Sequence, residues 1–123
     1  MASVVMHAFN TIKQKGKMEL FRSHHKDYKD GEQLRDFVYV EDIADVMMFF
    51  MENQHCTGIY NVGTGRARSF IDLTHSVFTS LKVNPKISFI DTPVELRGRY
   101  QYFTEAEISK LRKIGYTKPF TEL

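Results

Sequence analysis

The chain has 123 residues, of which 42% are hydrophobic and 26% are charged, so it has room for one folded domain and is too apolar to be disordered. Its 17 lysines and arginines are interspersed with its 15 aspartates and glutamates, which argues against a nucleic-acid-binding surface. The single cysteine, Cys56, cannot form an internal disulfide and indicates a cytoplasmic protein. No apolar run is long enough to span a membrane.

The first part of the chain predicts a helix, a strand and a loop, in that order. Apolar residues at helical spacing predict that the chain opens inside a helix, which ends at Gly16 after a cluster of lysines. Residues Met18–Phe21 predict a short strand, and Arg22–Gln33 form a polar loop with little to bury. Loops of this length in compact domains are usually functional or disordered. The apolar residues of the helix are Val5, Ala8, Phe9 and Ile12.

The segment from Leu34 to Val46 changes without a linker from a strand pattern to a helix pattern. Leu34–Val40 predicts a buried strand, and the helix that follows is expected to end at about Asn53. A strand that runs directly into a helix is a common way to build a ligand crevice in α/β proteins. A second short strand is predicted for Ile59–Val62. The apolar face of the helix consists of Ile43, Val46, Met47 and Phe50.

The last part of the chain predicts two further helices and one strand. Ser69 and Asp72 form a capping-box signature before the first of these helices, and Ile87–Ile90 predicts the strand. Thr104 and Glu107 form a second capping-box signature before the last helix. The order of the elements predicts an α/β fold with mixed short strands and about four helices. The apolar positions are Phe70, Leu73, Val77 and Leu81 in the first helix and Ile108, Leu111 and Ile114 in the second.

The sequence contains a partial dinucleotide motif and lacks several catalytic ones. The turn Gly63-Thr64-Gly65 precedes a predicted helix, but Arg68 stands where the fingerprint needs a third glycine. A tight turn is therefore the main interpretation, and anion binding at a helix terminus is the alternative. No tyrosine is followed by a lysine four residues later, and none of the five histidines has the spacing of a zinc site. We expect no catalytic, cofactor-binding or metal-binding residues in this chain.

Three stretches beside predicted strands carry hydrogen-bond donors that suit a phosphate. A guanidinium binds phosphate through two parallel hydrogen bonds, and an aromatic ring such as Tyr100 or Phe21 can stack on a base or a sugar. Each arginine alone is consistent with a solvated loop, but together they favour a phosphorylated small ligand. His7 lies at the edge of its helix's apolar stripe, where a structural histidine is the default. The donors are Arg22, His24, Arg35, Arg97 and Arg99.

Several segments resemble one protein family. The segment Arg35–Ala44 resembles the signature of the extended short-chain dehydrogenase/reductases that epimerise or dehydrate nucleotide sugars. Its residues follow the order Arg-Asp-Phe-Val-Tyr-Val-x-Asp-Ile-Ala. Tyr60–Gly65 resembles the later strand and turn of the same family. Phe21–His24 and Leu96–Thr104 are similar to the ADP-L-glycero-D-manno-heptose 6-epimerases within it. The resemblance covers essentially the whole chain.

This resemblance implies the C-terminal, substrate-binding portion of a Rossmann-type short-chain dehydrogenase fold, with residues 1–123 as a single segment. The family binds NADP in an N-terminal Rossmann domain that also carries the Tyr-x-x-x-Lys pair, and we expect that domain and the family's last helix to lie outside this chain. By resemblance, Arg35 neutralises the diphosphate of an ADP-sugar, Tyr100 and His7 hydrogen-bond the sugar or phosphate, and Phe21 lines the pocket. The implied substrate-binding residues are His7, Phe21, Arg22, Ser23, His24, Arg35 and Tyr100.

The family's reaction, used in lipopolysaccharide core synthesis, oxidises the heptose C6 hydroxyl by hydride transfer to NADP and returns the hydride to the other face of the aldehyde. Because the catalytic and cofactor motifs are missing, we expect the isolated chain to be inactive and to bind no cofactor. The alternative is a stand-alone module without catalysis that either binds a nucleotide sugar or self-associates. We expect a homo-oligomer, or association through apolar surface near Val38, Val40, Ile59 and Val62.

Overall fold

A computed structural model describes residues 3–123, which form two compact units. The first unit comprises the described residues up to Leu34 together with Arg68–Phe103 and Leu123, and the second comprises Arg35–Ala67 and Thr104–Glu122. The helices are α1 (Val4–Lys15), α2 (Val40–Glu52), α3 (Phe70–Leu81), α4 (Val94–Arg97) and α5 (Ser109–Lys113). The strands are β1 (Met18–Phe21), β2 (Leu34–Arg35), β3 (Arg68–Ser69), β4 (Ile87–Ile90) and β5 (Phe103–Thr104).

Helix α1 of the first unit forms where the sequence predicts it and is capped at both ends. The Ser3 hydroxyl accepts a hydrogen bond from the Met6 amide, and Gly16 follows the last turn with a φ of 64°. Glycine favours this left-handed conformation because it has no Cβ. Ala8 and Ile12 are buried, and the helix packs on α3 and β1.

The predicted strands β1 and β4 are both present, and they form a parallel pair in the first unit. Met18 lies opposite Ile87 and Phe21 lies opposite Ile90. Met18 and Leu20 are buried while the residue between them is exposed, which is the alternation of a strand with one covered face. This pairing aligns the ends of the two strands, so the loops that follow them begin side by side.

Helix α3 completes the core of the first unit. The capping box predicted at Ser69 and Asp72 is present, with each side chain accepting a hydrogen bond from the backbone of the other residue. The helix buries Leu73, Val77 and Phe78, and each fully buried side chain of this size contributes about 1.5–3 kcal/mol to folding.

The second unit has its own core, formed by α2 and α5. Val46, Leu111 and Tyr116 are buried in it, and partly buried aromatic residues pack around them. The buried Asp42 carboxylate accepts a hydrogen bond from the Thr121 amide at 2.7 Å. This bond ties the segment after α5 to the first turn of α2.

The remaining strands are two residues long and are hydrogen-bonded in the order β3-β2-β5. Within the first unit the Leu34 amide donates to the Tyr102 carbonyl at 2.8 Å. Within the second unit the Asp36 amide donates to the Thr104 carbonyl at 2.9 Å.

The structure corrects two of the predicted strands. The strand predicted for Leu34–Val40 ends at Arg35, and α2 begins at Val40, where acidic residues in its first turn complement the helix dipole. The segment Ile59–Val62 is not a strand. Its Tyr60 and Val62 side chains pack against the core of the second unit instead.

The structure also corrects the end of the chain and one loop. Thr104 does not cap a helix, because it lies in β5, and the Glu107 carboxylate accepts a hydrogen bond from Ser109 at the start of the shorter helix α5. With the short helix α4, residues 3–123 contain five helices rather than the predicted four or so. The loop Arg22–Gln33 buries Gly31 and Gln33 almost completely, contrary to the expectation that it has little to bury.

Candidate functional site

A cavity of about 490 Å³ opens in the first unit. Helix α1 and strand β1 supply most of its wall, and single residues from the end of β4, the start of α3 and two loops complete it. The wall is mostly apolar and carries a few polar groups, which is the composition of a small-molecule site. The lining residues are Val4, His7, Thr11, Lys15, Met18, Glu19, Leu20, Phe21, Gln33, Phe70, Ile90 and Tyr100.

Two aromatic rings of the wall meet edge to face. The centroids of Phe21 and Tyr100 are 6.4 Å apart, with an angle of 86° between the ring planes. This arrangement places the positive edge of one ring against the negative face of the other and favours a fixed geometry. The cavity therefore offers a defined aromatic corner to a flat or apolar group.

Gln33 fixes the end of β1 beside the cavity. Its side chain is 1% exposed, and its amide nitrogen donates to the Phe21 carbonyl at 3.3 Å. Its own carbonyl accepts a hydrogen bond from the Phe70 amide at 3.3 Å. Gln33 thus holds Phe21 through its side-chain amide and Phe70 through its backbone carbonyl. Sequence reasoning did not identify Gln33 as a residue of the cavity, because a single glutamine at the end of a charged loop does not differ in pattern from its neighbours.

The loop after β1 is organised by Asp30. Its carboxylate accepts hydrogen bonds from the Ser23 amide at 2.8 Å and from the Arg22 guanidinium at 3.3 Å. The Arg22 guanidinium also lies 3.7 Å from the Asp91 carboxylate. Arg22 is therefore paired with two carboxylates of its own unit.

Aromatic contacts support the next part of this loop. The His24 amide donates to the Tyr102 hydroxyl at 3.0 Å. The Tyr102 ring lies 5.4 Å from the Tyr100 ring, and 5.0 Å and 5.4 Å from the rings of His25 and Tyr28. Tyr100 consequently belongs both to the cavity wall and to the cluster that holds the loop.

Thr92 joins the loops that follow β1 and β4. Its side chain is buried, and its hydroxyl donates to the Arg22 carbonyl at 2.9 Å. The Arg97 guanidinium donates to the Thr92 carbonyl at 2.8 Å. Arg97, a predicted phosphate donor, therefore stabilises the backbone of these loops.

In the second unit, the Asp36 carboxylate collects four hydrogen bonds. It accepts from the Thr64 amide at 2.9 Å and the Thr64 hydroxyl at 2.5 Å, and from the amides of Gly65 and Ala106 at 2.9 and 3.0 Å. Burial raises the pKa of Asp36, but the hydrogen bonds outweigh it and hold the pKa below its ordinary value of 3.8. A Cβ on residue Gly63 would lie 2.7 Å from this carboxylate. A larger residue at this position would therefore clash with the Asp36 side chain.

The turn Gly63-Thr64-Gly65 does not fit a dinucleotide phosphate. The amides of Thr64 and Gly65, which a phosphate needs as donors, already bind the Asp36 carboxylate. A phosphate would also meet the negative charge of that carboxylate. Helix α3 begins only at Phe70, so no helix terminus follows the turn directly. The tight turn is the correct interpretation, and the alternative of anion binding is wrong.

The sequence matches the profile of the NAD dependent epimerase/dehydratase family over residues 1–63, which is half of the chain. The chain belongs to the NAD dependent epimerase/dehydratase family. This confirms the family resemblance, and with it the α/β fold class of an extended short-chain dehydrogenase.

Within this family the chain resembles ADP-L-glycero-D-manno-heptose-6-epimerases. It is 50% identical to the enzyme of Fusobacterium nucleatum over its full length, which is 39% of that relative. The crystal structure of the Helicobacter pylori enzyme superimposes with a TM-score of 0.76 at 29% identity, covering 99% of this chain and 34% of that one.

A solved structure of lower sequence identity shares the fold. The UDP-N-acetylglucosamine 4-epimerase of Methanobrevibacter ruminantium, solved in complex with UDP-N-acetylmuramic acid, gives a TM-score of 0.75 at 24% identity, over 96% of this chain and 34% of that one. The chain thus spans between a third and two fifths of the length of these three proteins.

The structure brings together three of the seven predicted substrate-binding residues. His7, Phe21 and Tyr100 line the cavity. Arg22, Ser23 and His24 form the adjoining loop and are not part of the lining, and Arg35 belongs to the second unit. Among the described residues there is no group of three or more potential metal ligands and no helix long and apolar enough to cross a membrane.

Proposed function

We propose that this chain provides the nucleotide-sugar-binding part of an ADP-L-glycero-D-manno-heptose 6-epimerase. The observation that carries the proposal is the cavity that brings His7, Phe21 and Tyr100 to one place. His7 and Phe21 come from the consecutive elements α1 and β1, and Tyr100 comes from a loop much later in the chain. Sequence reasoning proposed Phe21 and Tyr100 as rings that could stack on a ligand, and the family resemblance implied a substrate-binding role for all three. Their convergence on a mostly apolar cavity supports a binding role for them.

Each residue has a role that follows from its chemistry. The Phe21 and Tyr100 rings offer an apolar corner to the base or the sugar, and the His7 imidazole can donate or accept a hydrogen bond at the cavity wall. The loop Arg22–His24 is proposed to contact the diphosphate. For Arg35, which belongs to the second unit, a role in neutralising the diphosphate is proposed from the family resemblance alone. The adenosine diphosphate heptose is the proposed ligand because of the relatives that the chain resembles.

The cofactor site is proposed to lie in the part of the family's polypeptide that this chain does not span. NADP, when bound there, supplies the hydride chemistry. In the turn Gly63-Thr64-Gly65 the backbone amides already bind the Asp36 carboxylate. This supports the proposal that the cofactor binds in another part of the polypeptide. Residues 1–123 then act as a single substrate-binding segment, and the isolated chain has no epimerase activity.

The biological setting is part of the same proposal. An ADP-heptose epimerase serves lipopolysaccharide core synthesis, and the single cysteine supports a cytoplasmic location. The partner is a small ADP-sugar rather than nucleic acid or a membrane, and the protein acts as a homo-oligomer.

Thermal unfolding with added nucleotides tests the proposal. We expect ADP-heptose, and more weakly ADP, to raise the melting temperature, because a ligand at 100 times its Kd stabilises the native state by about 2.7 kcal/mol. UDP-glucose and NADP are expected to have little effect. Phe21→Ala should abolish the shift, whereas Phe103→Ala, which removes a half-exposed ring outside the lining, should retain it.

The outcomes separate the two candidate functions. No stabilisation by any ADP compound contradicts nucleotide-sugar binding. Equal stabilisation by ADP-heptose and UDP-glucose favours a general nucleotide-sugar-binding module, which is the alternative function. Turnover of ADP-heptose by the purified chain contradicts the proposed division between substrate and cofactor parts.

A further inference from the structure

Two hydroxyl groups hold the backbone of the loop Arg22–His24. The Thr92 hydroxyl donates to the Arg22 carbonyl at 2.9 Å, and the Tyr102 hydroxyl accepts a hydrogen bond from the His24 amide at 3.0 Å. The paired residues are 70 and 78 positions apart in the sequence, so neither contact is local. The first and the last residue of the loop are therefore each bonded to a distant part of the first unit.

The surroundings of Thr92 fix the position of its hydroxyl. The Thr92 side chain is 2% exposed, and branching at Cβ restricts its rotation. Its carbonyl accepts a hydrogen bond from the Arg97 guanidinium at 2.8 Å. The Arg22 amide donates to the Ile90 carbonyl at 2.8 Å. The backbone of Arg22 is thus bonded through both its amide and its carbonyl to the segment that follows β4.

The surroundings of Tyr102 fix the position of its hydroxyl in a different way. Its ring lies 5.0 Å from the His25 ring and 5.4 Å from the rings of Tyr28 and Tyr100. Contacts of this kind favour particular ring orientations. The hydroxyl at the end of the Tyr102 ring therefore meets the His24 amide in a defined geometry.

We propose that Thr92 and Tyr102 are positioning residues, which hold the loop Arg22–His24 in the conformation that contacts the diphosphate. This inference rests on the proposed function. Neither residue lines the cavity, so both act through the loop and not by touching the ligand. A loop that is ordered before the ligand arrives binds more tightly, because less conformational freedom is lost on binding.

The size of the effect follows from a two-state description of the loop. The apparent Kd is the intrinsic Kd divided by the fraction of molecules with the loop in the competent conformation. Removing one hydrogen bond shifts that equilibrium by about two- to tenfold. Because both hydroxyls hold the same loop, removing both should weaken diphosphate binding by at least the product of the two single losses.

NMR titration of this chain with ADP and with adenosine, which has no phosphate, tests the inference. Thr92→Val and Tyr102→Phe each remove one hydroxyl and keep the shape of the side chain. Each should raise the Kd for ADP, by up to about tenfold, and change the Kd for adenosine less than about twofold. Thr92→Ser retains the hydroxyl and should bind ADP like the wild type. Tyr28→Phe is the matched control, because it removes a hydroxyl from the same aromatic cluster and no hydrogen bond of that hydroxyl is found within residues 3–123.

Amide hydrogen exchange without ligand measures the loop directly. The His24 amide should exchange faster in Thr92→Val, and the Ser23 amide, which donates to Asp30, should exchange faster in Tyr102→Phe. The amide of Leu73, in the core of α3, should be unchanged and shows that the fold is retained. If Thr92→Val does not fold, Tyr102→Phe and its control decide the question.

The outcomes distinguish this inference from the proposed function. A wild-type chain that binds neither ADP nor ADP-heptose contradicts the proposed function, and the diphosphate role of the loop with it. A wild-type chain that binds ADP, together with variants that bind it equally well, overturns the positioning role alone. Equal weakening of ADP and adenosine binding also overturns it, because that result indicates a general structural role.

Discussion

The substitution Asp36→Asn keeps the size of the side chain and replaces one carboxylate oxygen with an NH₂ group. The wild-type oxygens each accept two hydrogen bonds. In one orientation the new NH₂ group faces the amides of Gly65 and Ala106, which lie 2.9 and 3.0 Å from the oxygen that is lost. In the other orientation it faces the Thr64 amide and the Thr64 hydroxyl, and the hydroxyl can turn to accept while the amide is left without an acceptor. A buried donor without an acceptor costs about 1–3 kcal/mol. Because Asp36 is only partly buried and water can replace part of the loss, we expect a total of about 1–3 kcal/mol.

The pH dependence of this loss is fixed by the direction of the pKa shift. The folded-state pKa of Asp36 is below the ordinary value of 3.8, so the folded protein binds the proton less readily than the unfolded chain. The stabilisation is therefore fully present above pH 3.8 and decreases as the pH falls through the lower folded-state pKa. The asparagine side chain does not titrate in this range. The difference in unfolding free energy between the wild type and the variant should therefore become smaller in acid.

Urea denaturation followed by circular dichroism at pH 7 and at pH 3 measures both effects. Asp72 also has a lowered pKa, because hydrogen bonds from Ser69 and Arg68 outweigh its burial, but its contribution is common to both proteins and cancels in the difference. The control is Asp91→Asn at an exposed carboxylate, which should change stability by less than about 0.5 kcal/mol. A variant as stable as the wild type at pH 7, or a deficit that is equal at both pH values, would refute this account of the turn.

Two further predictions concern the first unit. Gly31→Ala should destabilise by about 2–3 kcal/mol, because Gly31 has a φ of +75° and a Cβ there would lie 2.7 Å from Ile71 and 2.9 Å from Phe89. Gly98→Ala, at an ordinary φ of −77° with no atom near the new Cβ, is its matched control and should be neutral or slightly stabilising in the same urea series. Ser69→Ala should cost about 1 kcal/mol through loss of the helix cap, and a variant as stable as Gly98→Ala would contradict the role of the capping box.

The elements that the sequence predicts well are those whose signal is local. Helix α1 ends at its glycine, α3 begins at its capping box, and strand β1 is a short apolar run next to a turn. Each of these signals acts within a few residues, so no knowledge of the rest of the chain is needed. For His7 the predicted substrate role came from the family resemblance, whereas the aromatic character of Phe21 and Tyr100 already suggested that they could stack on a ligand.

The errors occurred where distant residues decide the outcome. Ile59–Val62 has a strand-like composition, but the Ile59 side chain is 88% exposed, and the Ile59 carbonyl accepts a hydrogen bond from Lys110 at 2.7 Å rather than from a neighbouring strand. Thr104 has the spacing of a helix cap, but its carbonyl accepts the Asp36 amide and keeps the backbone extended. The capping-box signature in the sequence is therefore overridden by a long-range hydrogen bond that the sequence does not reveal.

Arginines near a cavity are commonly taken as free donors for an anionic ligand, and Arg22 shows why the count of arginines misleads. Its guanidinium already contacts Asp30 at 3.3 Å and Asp91 at 3.7 Å, so a phosphate can bind it only by replacing these contacts. The gain in binding free energy is then the difference between two similar interactions, and it is smaller than that of a new charge-assisted hydrogen bond. The apolar surface of the cavity wall contributes in another way, because an apolar group that packs against the Phe21 ring is removed from water. If the proposed function is correct, the cavity wall supplies most of the affinity and Arg22 mainly orients the diphosphate.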